Sequence, residues 1–127
     1  MRTHDEIEGF LIELELPYER LSEGMWVLHD AESHMQNVVA YVTDTILNFR
    51  VKLFDLPEST DTLFRKLLEL NASEMVHGAY GVEENAVVIT GALELENLDI
   101  NEVQAAIDSF SVAISTHHAL LTELIEA

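Results

Sequence analysis

The chain has no cysteine, only two prolines, five glycines and six Lys or Arg among its 127 residues. Without cysteine it can form no disulfide, no thiolate metal site and no thiol nucleophile, which fits a reducing compartment. The scarcity of proline and glycine leaves no flexible linker, and no internal repeat or low-complexity tract is visible. One domain spanning 1–127 is therefore expected. No stretch approaches the roughly 20 apolar residues that span a bilayer. The N-terminus turns acidic at Asp5-Glu6 without an apolar signal core, so the expected location is cytoplasmic.

The shortage of cations has its own consequence. Asp and Glu number 24, giving a net charge of −18 and a pI near 4.3. Such a field repels phosphate backbones and anionic lipid surfaces, so neither nucleic acid nor membrane is an expected partner. What the chain does have is apolar residues, at 48%. That is enough to bury a core at this length without metals or disulfides.

Periodicity orders the elements. Thr3 caps a first helix, with Asp5 and Glu6 suited to its dipole and Ile7, Phe10, Leu11 and Leu14 forming one stripe. Pro17 ends it. Met25-Trp26-Val27-Leu28-His29-Asp30 reads as a strand, and Val38–Thr43 with Ile46–Phe54 as a hairpin around Asp44-Thr45. In the second hairpin strand Leu47, Phe49, Val51 and Leu53 share the core face, and Asn48, Arg50, Lys52 and Phe54 the other. A short helix from about Asp61 to Leu70 follows, with Asn71 as its stop. A second hairpin spans Val76–Glu96, turning at Glu83-Glu84-Asn85, with Gly91 marking a bulge. Last comes a helix opened by Asp99 and Glu102. Its stripe is Ile100, Val103, Ile107, Phe110, Ile114, His117, Leu121 and Leu124, widened by Ala106, Ala113 and Leu120. A stripe that wide more often packs on a sheet, with a coiled coil as the alternative.

Chemistry is harder to find. His77-Gly78-Ala79-Tyr80-Gly81 fits neither a P-loop nor a dinucleotide fingerprint, and no Gly-x-Ser-x-Gly elbow occurs. His117 and His118 are adjacent, so they face different ways on a helix, and His29 and His34 lack a third partner. His117 falls in the apolar stripe, where a hydrogen-bonded histidine at the core margin is the default. Carboxylates such as Glu83, Glu84, Glu94 and Glu96 are too many to single out a catalytic pair, and solvated faces account for them. No catalytic residue, metal or cofactor is expected, and no enzyme.

Binding fits better. Arg50, Lys52 and Phe54 make a small cationic, partly aromatic spot, a candidate site for a protein or peptide partner. Pairing of the two cations with nearby acids is the competing use. The middle helix is broadly apolar for its length. Either the monomer buries it or a second subunit does, which makes Leu63, Phe64, Leu67 and Leu68 candidates for a homodimer contact.

The segments Phe54-Asp55-Leu56-Pro57, Leu67-Leu68-Glu69-Leu70-Asn71, Val76-His77-Gly78-Ala79-Tyr80-Gly81 and Leu93-Glu94-Leu95-Glu96-Asn97-Leu98 resemble the YbjN-like family. That family, labelled as bacterial sensory-transduction regulators, shares the fold of the type III secretion (Tir) chaperones. The resemblance implies an α+β fold in the order α-β-β-β-α-β-β-α, a curved antiparallel sheet with helices packed against it. It also implies a homodimer without catalytic residues. The secretion chaperones hold an extended stretch of a client protein on apolar patches. A chaperone-like or regulatory protein-binding module is therefore the functional expectation, with an adaptor or structural dimer without client binding as the alternative and a small hydrolase or metal-dependent enzyme as a minor one.

Overall fold

The computed structural model describes residues 1–30 and 35–126. Three helices and six strands follow one another as α1 (His4–Glu13), β1 (Tyr18–Ser22), β2 (Met25–Asp30), β3 (Met35–Thr43), β4 (Ile46–Asp55), α2 (Asp61–Ser73), β5 (Ala79–Glu83), β6 (Ala86–Glu94) and α3 (Ile100–Glu126). The strands form one antiparallel open sheet in the order β1-β2-β3-β4-β6-β5. The expected fold is the one found, with β1 added ahead of the three strands read from the sequence. β1 pairs Tyr18 with Leu28 and Arg20 with Trp26 at the sheet edge.

Local chemistry explains the element ends. Thr3 and Glu6 form a complete capping box at the start of α1, which satisfies two amides that the first turn leaves open. Glu84 and Asn85 both have positive φ, 51° and 63°. That is the two-residue hairpin turn whose twist matches its strands. α2 runs on past Asn71 to Ser73, because Asn71 does not cap it. Instead the Asn71 side chain accepts from the Tyr80 amide at 2.7 Å and donates to the Tyr80 carbonyl at 3.1 Å, tying α2 to β5.

All three helices contribute to one core on one side of the sheet. Ile7 and Leu11 of α1, Leu63, Leu67 and Leu70 of α2, and Val103, Ile107 and Phe110 of α3 are buried with Trp26, Leu28, Val38, Leu47, Phe49, Val51, Val87 and Ile89. Gly91 makes no bulge. It pairs regularly with Phe49, and a Cβ there would stand 2.7 Å from the Phe110 ring. Its role is to let that ring seat on the sheet, 5.6 Å from the Phe49 ring centre. Gly78 has φ +79°, and a Cβ there would meet the Thr90 carbonyl oxygen at 2.5 Å. Only glycine brings the entry of β5 this close to β6.

The other side of the sheet carries no helix among the described residues. Met25, Val27, Val39, Tyr41 and Ile46 are half-buried there. Val88 on the same side is 2% exposed. Arg50 on β4 reaches Glu83 on β5 at 2.9 Å, and that ion pair lies across the strand that holds Val88.

Candidate partner-binding surfaces

The expected cationic spot does not form as a unit, and a bulge is the reason. Lys52 pairs with Val88, but Phe54 pairs with Val87, so β4 carries one extra residue at Leu53. An extra residue reverses the alternation that follows it. Phe54 is thereby turned to the helix side, with buried Val87, and away from Arg50. Arg50 is held by Glu83 at 2.9 Å and faces Glu84 at 3.9 Å. Lys52 pairs with Asp55 at 3.0 Å.

β3 carries a matching irregularity. Leu28 pairs with Val38, and Asp30 with Met35, and Asn37 takes a positive φ of 57°. Both bulges fall just beyond the Val38–Val51 pair, so two neighbouring strands change course together. The space they open beside the C-terminal half of α3 is a cleft of about 500 Å³. Val51, Leu53, Phe54, Ile114, Leu121 and Ile125 give it an apolar lining, with Asn37, Lys52, Tyr80, His118 and Thr122 as its polar groups. The sequence reading missed this cleft. Its one visible sign was the adjacent pair Leu53-Phe54, where an alternating strand turns apolar twice in succession.

The four α2 candidates divide. Leu63 and Leu67 are 1% and 5% exposed, inside the core of this chain, whereas Leu68 is 69% exposed and Phe64 half-buried. Of the four, Leu68 alone is fully open to solvent, and Phe64 packs partly against the core.

Behind the cleft lies a buried polar contact. Tyr80 Oη stands 2.6 Å from His117 Nδ1, and His117 Nε2 stands 3.7 Å from Glu74 Oε1. Burial, with the Glu74 charge adding to it, pushes the Tyr80 hydroxyl up to about 12. Such a phenol stays protonated, so its hydroxyl acts as a hydrogen-bonding group rather than a nucleophile. At the opposite edge of the helix side, Glu8 accepts both arms of Arg20 at 2.9 Å and the Trp26 indole N–H at 2.8 Å. The Arg20 hydrogen bonds, then that of Trp26, hold the Glu8 carboxyl below its usual range. His29 lies 3.9 Å from Glu19, while His34 falls outside the described residues. Among those residues no cluster of three His, Asp or Glu could hold a metal ion, and no helix is long and apolar enough to cross a membrane.

The chain is thus a six-stranded antiparallel sheet with helices on one side and a partly apolar cleft at its bulged end. The sequence matches the CesT_Tir_1 family over residues 1–127, and the chain belongs to this family of type III secretion chaperones. No curated protein matches it. Among solved structures it is similar to a chain of the heterodimeric ExoU–SpcU complex from the type III secretion system of Pseudomonas aeruginosa. The identity is 17% and the TM-score 0.71, over 94% of this chain and 98% of that one. YbjN from E. coli is similar at 14% identity and TM-score 0.69, over 91% and 90% of the two chains. A chain of the ExsC–ExsE complex is similar at 13% and 0.61, over 95% and 97%. At these identities the likeness establishes the fold.

Proposed function

We propose that this chain is a non-enzymatic, cytoplasmic chaperone-like protein that works as a homodimer and holds a segment of a protein partner. The observation that carries this reading is the cleft at the two bulges. Its lining is mostly apolar, its volume of about 500 Å³ admits more than one side chain, and β4 is bent so that Phe54 faces into it. Family membership supports the reading. So does the occurrence of two of the similar folds in complexes, ExoU–SpcU and ExsC–ExsE.

In this reading an apolar stretch of the client packs on Leu53, Phe54, Leu121 and Ile125, and Lys52 at the rim meets an acidic group of the client. Arg50, committed to Glu83, steadies the sheet instead. The homodimer contact is the outer surface of α2, with Leu68 at its centre.

Affinity capture from the native cytosol, read by mass spectrometry, tests the cleft. Phe54→Asp and the milder Ile125→Asp should each lose the partner that the unaltered chain retains, with the circular dichroism spectrum unchanged. Retention of the partner by a folded Ile125→Asp chain would sink the cleft reading. Leu68→Asp should give a folded monomer by light scattering, and an unchanged dimer would remove α2 as the contact.

A further inference from the structure

A second groove, of about 230 Å³, lies between the end of α2, the segment after it and the middle of α3. Met75, Val76, Val112 and Ala113 give it apolar walls, and Glu74 and Asp108 stand on it with no Lys or Arg. Val76 is 82% exposed and Val112 64%. The two exposed valines give the groove a small apolar patch that a partner side chain can cover.

His117 is also part of this groove. It is 4% exposed, the buried polar side chain among the described residues. When the Tyr80 hydroxyl donates to Nδ1, the neutral ring carries its proton on Nε2. That N–H makes no hydrogen bond among the described residues. Glu74 Oε1, at 3.7 Å, lies beyond reach. A buried donor without an acceptor is costly, and an incoming acceptor removes the cost.

We propose that this groove receives a partner polypeptide at an apolar side chain flanked by Lys or Arg, whose backbone carbonyl accepts from His117 Nε2. The two carboxylates and the net charge of −18 favour a basic segment and disfavour a second copy of this acidic chain. The inference rests on the protein-binding reading above, but it concerns a surface separate from the cleft.

The test uses the isotope-labelled full chain and three end-blocked synthetic pentapeptides, followed by NMR titration. The first is Ala-Lys-Leu-Lys-Ala, the second replaces Lys by Glu, and the third replaces Leu by Ala. The first should give saturable shifts at the Val76, Val112 and Ala113 amides and at the His117 ring. The other two should bind about tenfold more weakly or not at all. Val112→Lys, at an exposed position, should abolish binding of the first peptide and leave the rest of the spectrum in place. Equal binding of the Leu and Ala peptides would reduce the effect to bulk charge and overturn the proposal. So would unchanged binding to the Val112→Lys chain, or no shift at these residues. If Val112→Lys still captures the partner that Ile125→Asp loses, and the peptides give no shift, the groove falls while the client reading stands. If the unaltered chain captures no partner but binds the first peptide as described, the groove stands and the cleft falls.

Discussion

On the helix side of the sheet Phe49, Val51, Val87 and Ile89 are buried, whereas on the open side Met25, Val27, Val39 and Tyr41 stay half-exposed. The two sides come from the same strands, so strand chemistry alone does not separate them. β2, β3 and β6 carry apolar residues on both faces, whereas the open face of β4 is mostly Asn48, Arg50 and Lys52. What differs is the cover. Three helices lie over one side, and over the other an ion pair across Val88 is the nearest thing to a lid. An antiparallel sheet can leave one side in water, but aliphatic and tyrosine side chains there give that side a capacity for contact that a charged surface lacks.

The sharpest way to break the comparison is to truncate one ring on each side. Phe110→Ala should cost about 3–5 kcal/mol in chemical denaturation. Gly78 and Gly91 border the ring and have no side chains to fill the hole. Tyr41→Ala on the open side should cost clearly less. An equal loss would mean that the open side is covered in solution. A smaller effect comes from Tyr80→Phe, which removes the bond to His117 and should cost about 1 kcal/mol by the same measurement. No change would place that hydroxyl outside the fold's stabilising contacts.

Smaller still is Arg50→Gln. It breaks the pair with Glu83, and a loss of under about 1 kcal/mol is expected, shrinking further in high salt. A loss that salt does not touch would show that Val88 depends on the arginine's packing rather than its charge. The last effect is read from the acid limb of the stability curve. Glu8 is held below its ordinary value by Arg20 and Trp26, and Glu6 by Arg2 and Thr3. A lowered folded value means stability that is present above the ordinary carboxylate value and lost as pH falls through the lowered one. Arg20→Gln should therefore flatten the acid limb of the stability curve below about pH 4.5 and leave its shape near neutrality unchanged. An acid limb that keeps its slope would show that other carboxylates set it.

The open side also explains which parts of the molecule could be read directly. α3 was legible because its stripe repeats over 27 residues; in a helix that long, chance placement of apolar residues cannot mimic a face. The β3–β4 and β5–β6 hairpins were legible because their turns need residues that accept positive φ, and Asp44 and Asn85 supply them, with Glu84 drawn into the same conformation. β1 was not legible. Of Tyr18–Ser22 only Tyr18 is partly buried, so no alternation marks the strand, and its pairing to β2 decides that it exists. Asn71 looked like a helix stop, since side-chain chemistry suits both a cap and a clamp, and only the position of β5 selects the clamp.

The candidate site divides along the same line. Apolar content, acidity and the absence of cysteine are properties of the list of residues, and they exclude disulfides and thiol chemistry and disfavour nucleic acid on their own. The helix-covered core follows from periods of two and 3.6 that any stretch of chain must obey. Which way Phe54 faces does not follow, because one inserted residue at Leu53 reverses the alternation. That bulge is stabilised by pairing with β6, some 33 residues away in the chain (Phe54 to Val87). Leu63 and Leu68 likewise differ by five positions and little chemistry, yet one is in the core and the other in solvent. Sequence set the elements and the charge; long-range pairing and the docking of helices on one side decided which apolar residues were left for a partner.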